Sequence, residues 1–186
     1  MDVKEAILKR RSIRSFSSKD IPEETLREII SLGVRAPSAH NEQPWQFILI
    51  RDNEIQRELM LDGEWREQLV KAPAVVAVCF DKKISPYGAV DAGLAAENIL
   101  LAALNFGISS CVVTSYLQDE EAQKEYRQIK KILNVPENIE VLLLIALGYP
   151  AEEPSERRLR PIDELVHLDQ YGRSQYLSEE EGFKYA

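Results

Sequence analysis

Two stretches of this chain, Ala74 to Phe80 and Val141 to Leu147, are apolar at almost every position. A strand with one wet face alternates apolar and polar residues, whereas an unbroken apolar strand is covered on both faces. Such strands need partners on either side, and the intervening segments read as helices. The chain has 186 residues and is 45% hydrophobic, enough for one domain with a substantial core.

The other elements follow from local signals. Residues 2–10 predict a short helix with Val3, Ala6 and Ile7 on one face. Ile21-Pro22-Glu23-Glu24 opens the next helix, with proline in the first turn and acids at the positive dipole end. Leu26, Ile29, Ile30 and Val34 form its apolar stripe. Trp45 to Ile50 reads as a strand, residues 54–71 as one or two polar helices. Residues 87–106 form a slim helix rich in alanine, with Gly93 within it and Gly107 suited to its C′ position. Its narrow surface suits a central place, or one at a subunit interface. Ile108 to Thr114 is a strand, and residues 119–133 an amphipathic helix with Ala122, Ile129, Ile132 and Leu133 partly inward. Residues 151–160 are a charged loop. Helices and strands alternate, so the class is mixed α and β.

Residues 161–186 show little periodicity yet carry Leu165, Val166, Leu168, Tyr171, Tyr176, Phe183 and Tyr185. A tail wrapped around a partner subunit would bury that surface; packing on its own domain is the alternative.

The chain has 31 acidic and 23 basic residues, a net charge of −8. That balance disfavours non-specific binding to nucleic acid or anionic lipid. The start, Met-Asp-Val-Lys-Glu, has no apolar h-region, so no signal peptide is expected there. No apolar run reaches the ~18–20 residues of a membrane span. The cysteines, Cys79 and Cys111, lie in apolar strands without metal-ligand neighbours, so no metal site is expected. They read as reduced core thiols, in keeping with a cytoplasmic protein.

Against this acidic background two arginine clusters stand out: Arg10, Arg11 and Arg14 around Ser12, and Arg157, Arg158 and Arg160. The guanidinium fork donates two hydrogen bonds to one anion, which suits phosphate. Between them lies Pro37-Ser38-Ala39-His40-Asn41-Glu42-Gln43-Pro44-Trp45. Prolines fix both ends of this loop, which is dense in hydrogen-bonding groups and precedes a buried strand. An elaborate capped turn is the alternative reading.

Arg10-Arg11-Ser12-Ile13-Arg14 and Ala36-Pro37-Ser38 through Asn41-Glu42-Gln43-Pro44-Trp45 resemble the nitroreductase family of flavoproteins. Asp91-Ala92-Gly93 through Asn98-Ile99-Leu100-Leu101-Ala102-Ala103 into Phe106-Gly107-Ile108 continues the resemblance. Leu147-Gly148-Tyr149-Pro150-Ala151-Glu152-Glu153 and the second arginine cluster complete it in order, over about residues 2–172. The resemblance implies an α+β fold with a central mixed, mostly antiparallel sheet flanked by helices. One domain would span residues 1–186, forming an obligate homodimer whose C-terminal extension, from about residue 161, wraps the partner. Each of two FMN sites would be lined by both subunits.

By the same resemblance, Arg10 and Ser12 would bind the FMN phosphate, and Arg11 the phosphate or the ribityl chain. One or two of Arg157, Arg158 and Arg160 would join them, with Arg158 and Arg160 favoured. Arg14 would approach the pyrimidine edge of the flavin. Pro37, Ser38, Ala39 and Asn41 would contact the cofactor held mainly by the other subunit. Thr114, or alternatively Ser115, would offer a backbone N–H to flavin N5, and Gln68 a polar contact to the ring. His40 would fall beside the substrate, with a solvent-exposed loop histidine as its bland alternative. No acid–base dyad or nucleophile is required, since the flavin carries the chemistry. The implied activity passes electrons from NADH or NADPH to a nitroaromatic or quinone-type acceptor by a ping-pong cycle. The rivals are a specialised reaction on the same fold, such as dehalogenation, ring oxidation or flavin breakdown, and a non-enzymatic phosphate- or nucleotide-binding module. The last leaves the Pro37–Trp45 loop unexplained.

Overall fold

The computed structural model describes residues 1–61, 63–114 and 120–173, with the backbone alone for residues 120–122. It divides into two units, Met1–Pro154 and a second that begins at Ser155. Ser115, the side chain of Ala122 and the tail aromatics Tyr176, Phe183 and Tyr185 lie outside the described residues.

In chain order the first unit holds α1 (Val3–Lys9), α2 (Glu23–Gly33), β1 (Trp45–Ile50), α3 (Asn53–Met60), α4 (Glu67–Lys71) and β2 (Ala74–Asp81). Then come α5 (Gly88–Asn105), β3 (Ser109–Thr114), α6 (Glu120–Ile132) and β4 (Ile139–Gly148). The four strands form one sheet in the order β1-β2-β4-β3, every neighbour antiparallel. The α+β class and the antiparallel character are as the family resemblance implies. Among the described residues the parallel component is one bridge, from Ser12 to Ser110 on the outer edge of β3.

The two unbroken apolar strands are the central ones, and the period-2 alternation of side chains sorts them between two cores. Ala74, Val76, Val78 and Phe80 of β2 join Leu26 and Ile29 of α2 and Ala95, Ile99 and Ala103 of α5 on one face. Val75, Ala77 and Cys79 point the other way, with Leu59 of α3, Leu69 of α4 and Ile129 of α6. A register shift beside Val78 and Cys79 opposes them to Leu143 and Val141, leaving Leu142 as the extra residue. This bulge has no local sequence signature. Both cysteines are buried and free. Burial pushes the Cys79 thiol up to about 12 and raises that of Cys111 as well.

Helix α5 packs as its small side chains suggest, and it ends as expected. Gly107 takes φ +69. Its N–H donates to the Leu104 carbonyl at 3.0 Å, and the Ile108 N–H donates to the Ala103 carbonyl at 3.0 Å. That pair of bonds is a Schellman stop, and it turns the chain directly into β3.

The expected face of α1 is only partly inward. Ala6 is buried, but Val3 and Ile7 are 73% and 53% exposed. Val34, which the stripe of α2 was expected to bury, caps that helix and is exposed. Among the described residues no helix is long and apolar enough to cross a membrane.

Where β4 leaves the sheet, Gly148 lies against Phe16. A Cβ there would sit 2.7 Å from Phe16 Cδ1 and 2.8 Å from Pro73 Cδ. Gly148→Ala is therefore expected to destabilise the fold by about 1–3 kcal/mol through overpacking, read as a lower urea midpoint. A midpoint equal to that of the parent would show that Phe16 does not pack there.

Candidate functional site

The basic segment after α1 is held in an extended form by the strand edge beside it. The Ile13 N–H donates to the Ser110 carbonyl at 3.0 Å, and Ile13 is buried. Ser12 and Arg14, on either side of it, are exposed. Alternation along an extended chain thus puts Arg10, Ser12 and Arg14 on one side and Arg11 and Ile13 on the other. The Arg11 guanidinium donates to the carbonyls of Leu8 and Arg10 at 2.7 and 2.9 Å. It satisfies the open C-terminal end of α1. An open cleft of about 460 Å³ is lined by Lys9, Arg11, Ile13, Ser109 and Glu152 on that second side.

Further along, the segment is zipped to the exit of β4. Phe16 bridges Pro150, the Ser17 N–H donates to the Tyr149 carbonyl, and the Ala151 N–H to the Ser15 carbonyl. Lys19 Nζ lies 4.0 Å from the Tyr149 ring centroid, a cation–π contact. Tyr149 and the buried Trp45 pack against the core, as the sequence suggests. Glu152 closes the zip: one carboxylate oxygen accepts the N–H of Arg14 at 2.6 Å and of Ser15 at 3.1 Å. Those two hydrogen bonds, Arg14 first, hold its carboxyl below the ordinary value.

The Pro37–Pro44 loop is strained. His40, Asn41 and Gln43 have φ of 51, 58 and 49, the left-handed region that non-glycine residues rarely occupy. The Gln43 N–H donates to Ser38 Oγ at 3.0 Å, and Gln43 Nε2 donates to the Asn41 carbonyl at 3.1 Å. The anchor is Asp91 in the first turn of α5. Its buried carboxylate accepts the Ala39 N–H at 3.2 Å and the Ser85 hydroxyl at 3.4 Å. Pro37, His40 and Asn41 are exposed, Ser38 and Ala39 half-buried. Among the described residues no hydrogen bond joins this loop to the Arg10–Arg14 segment.

Of the remaining expected residues, Gln68 is buried in α4 and Thr114 is exposed at the end of β3. In the second unit, Arg157, Arg158 and Arg160 are exposed. Arg160 pairs with Glu164 at 3.3 Å across the 3-10 turn Ile162–Glu164. Leu165 and Tyr171 are exposed there too. His167 stacks edge-on against Tyr171. Among the described residues, Arg10, Arg14, Arg157 and Arg158 have no carboxylate within ion-pairing distance.

Asp91 and Glu152 fall within the motifs of the sequence, yet the sequence assigns neither a role. For the second, the local signal is the pair Glu152-Glu153 after Gly148-Tyr149-Pro150-Ala151. For the first, it is an acid in the first turn of a helix that is otherwise small and apolar.

The Nitroreductase family model matches residues 7–80 and 61–149. A protein of Archaeoglobus fulgidus with the provisional name NADH dehydrogenase/NAD(P)H nitroreductase is 38% identical over 79% of this chain and 84% of its own. The NADPH-flavin oxidoreductase of Vibrio harveyi is 30% identical, over 90% of this chain and 73% of its own. Among solved structures, an FMN-dependent nitroreductase of Clostridium difficile R20291 superposes with a TM-score of 0.76 at 28% identity, covering 89% of this chain and 98% of that one.

The Glu152 tie has a pH signature. Its carboxyl lies below the ordinary 4.5 in the folded state, so the tie is at full strength above that value and is lost as pH falls through the depressed one. Between about pH 6 and about pH 3, protection of the Arg14 and Ser15 amides against hydrogen exchange is expected to drop, and Glu152→Gln to remove that pH dependence. Protection that stays level in the parent protein would contradict the tie.

Proposed function

This chain belongs to the nitroreductase family, and from that premise we propose that it is a homodimeric, FMN-dependent oxidoreductase. It would carry electrons from NADH or NADPH to a small oxidised acceptor of the nitroaromatic or quinone type. The observation that carries this reading is the shared side of Arg10, Ser12 and Arg14. Two guanidinium groups and a hydroxyl alternate along one extended strand, and among the described residues neither guanidinium has a carboxylate within ion-pairing distance. A phosphomonoester carries about −1.5 to −2 charge at neutral pH, and an acidic chain must concentrate cations to hold it. The donor set therefore fits FMN.

Arg10 and Ser12 would hold the phosphate, with Arg158 and Arg160 as the further phosphate ligands that the family resemblance implies. Arg14 would stand at the pyrimidine edge of the flavin as a fixed cation, favouring the reduced form. The buried amide of Gln68 and a backbone N–H at Thr114 or Ser115 would orient the ring. Arg11, engaged with the end of α1, would serve by fixing the strand that bears the other three. Pro37, Ser38, Ala39 and Asn41 would reach the cofactor of the partner subunit, and His40 would face the acceptor. When bound, FMN supplies reversible two-electron chemistry. The chain's own part is to bind, orient and exclude water.

Exposed apolar side chains support the dimer: Val3, Ile7 and Leu8 on α1, Leu32 and Val34 at the end of α2, and Val90 and Leu94 on α5. These helices are neighbours, since α5 packs against both α1 and α2. Exposed apolar side chains on neighbouring helices suit an interface. Leu159, Leu165 and Tyr171, exposed in the second unit, support a C-terminal extension that wraps the partner. The link from β1 to β2, residues 51–73, holds only α3, a 3-10 turn and α4 among its described residues. That supports an open site for varied acceptors over a specialised reaction, with donor and acceptor taking turns. The two buried thiols suit a cytoplasmic setting.

The test is a titration of the purified protein with FMN, followed by quenching of flavin fluorescence, and a steady-state assay with NADH or NADPH and a quinone. Arg10→Ala is expected to weaken FMN binding by about 10–100-fold, the loss of a charge-assisted phosphate contact. Arg14→Ala is expected to lower the reduction potential of the bound flavin. Initial rates at several acceptor concentrations are expected to give parallel double-reciprocal lines. A protein that refuses FMN, or that binds it equally well without Arg10, overturns this reading.

A further inference from the structure

We propose that Glu152 is a positioning residue of the cofactor site: by accepting the backbone N–H groups of both Arg14 and Ser15 it fixes the direction in which Arg14 presents its guanidinium. This rests on the FMN reading above and goes beyond it, because Glu152 contacts no part of the cofactor in the proposal. Three observations carry it.

The first is geometric. The bonds to Arg14 and Ser15, at 2.6 and 3.1 Å, span 138 and 137 residues of sequence. They join the basic segment to the chain just beyond β4. Two successive N–H groups converging on one oxygen set the peptide planes on both sides of the Arg14 α-carbon. The side chain leaves the backbone between those planes, so its direction is set with them.

The second is what the rest of the segment lacks. Ile13 is pinned by the Ser110 carbonyl, and Ser17 by the Tyr149 carbonyl. Between these points the Arg14 and Ser15 N–H groups have Glu152 alone as acceptor among the described residues. Without it, the stretch that carries Arg14 is fastened only by the Ser15 carbonyl, which accepts from Ala151, and would turn to find water. The third is that Glu152 is exposed, as are its neighbours Ala151 and Glu153. A carboxylate with free access to water nonetheless takes a fixed place on two amides.

The experiment compares Glu152→Ala, Glu152→Gln and Lys19→Ala with the parent in the full chain. FMN dissociation constants are measured by fluorescence quenching, well below every unfolding midpoint. Amide exchange of residues 12–16 is followed without FMN. Glutamine keeps a carbonyl oxygen that accepts both N–H groups, so its affinity is expected within about threefold of the parent, while alanine weakens FMN about tenfold or more. Alanine is also expected to expose the Arg14 and Ser15 amides to exchange. Lys19→Ala removes a different contact between the same two segments, the one to Tyr149. It is expected to lower the unfolding midpoint and leave FMN affinity within about twofold.

Unchanged affinity in Glu152→Ala overturns the proposal, as does a glutamine variant as weak as alanine. So does a Lys19→Ala variant that weakens FMN as much as Glu152→Ala, since the effect would then be general loosening. Should the alanine variant fail to fold, Glu152→Asp replaces it. Its side chain is one methylene short of both amides, and full affinity in it overturns the proposal. If the parent itself refuses FMN, the functional reading falls and this role with it. That result is distinct from binding by the parent that the variants leave unaltered.

Discussion

The N–H of Ile13, bound to the Ser110 carbonyl on the outer edge of β3, is the interaction on which the candidate site depends. It converts the residues after α1 from a loop into an extended strip, and only an extended strip alternates its side chains. With that alternation Ile13 enters the core, Arg11 turns back to the end of α1, and Arg10, Ser12 and Arg14 emerge together. The same bond protects a sheet edge that would otherwise be open. Further zipping to the exit of β4, through Phe16, Ser17, Ala151 and Glu152, gives the strip a second line of attachment.

Rigidity at the strip comes from a sheet that cannot shift easily. β2 and β4 are covered on both faces, so a slip of one residue would exchange the two cores entirely. The second feature of interest, the Pro37–Pro44 loop, is tied to the opposite side of the fold through Asp91 at the start of α5. Three left-handed residues in four positions are costly, and a buried carboxylate holding the Ala39 N–H helps the loop keep that form. Strip and loop thus belong to different parts of one subunit. That separation accords with a site completed across a dimer, where the loop of one copy serves the strip of the other.

Much of this architecture is legible in the chain. The central strands declare themselves by unbroken apolar runs, since two covered faces leave no position for a polar residue. Gly107 is legible because a left-handed C′ position favours glycine. The arginine strip is legible as a cluster of cations in an acidic chain, although its division between Arg11 and the others needs the knowledge that the segment is extended. Three things are not legible. The bulge at Leu142 follows from strand register, which has no local code here. The outward face of α1 reflects what the helix packs against, not its own periodicity. Asp91 and Glu152 act on backbone groups 52, 138 and 137 residues away, and a backbone N–H has the same chemistry in every residue but proline. Nothing in the partner's identity announces the bond.

The central claim is that one extended strip, Arg10, Ser12 and Arg14, is the seat of a phosphorylated flavin shared between two copies of this chain. A crystal structure of the protein grown with FMN tests it most directly. The account predicts the phosphate within hydrogen-bonding distance of Arg10 and Ser12, with Pro37–Asn41 of a second copy against the same cofactor. FMN bound away from that strip, or wholly within one subunit, would contradict it.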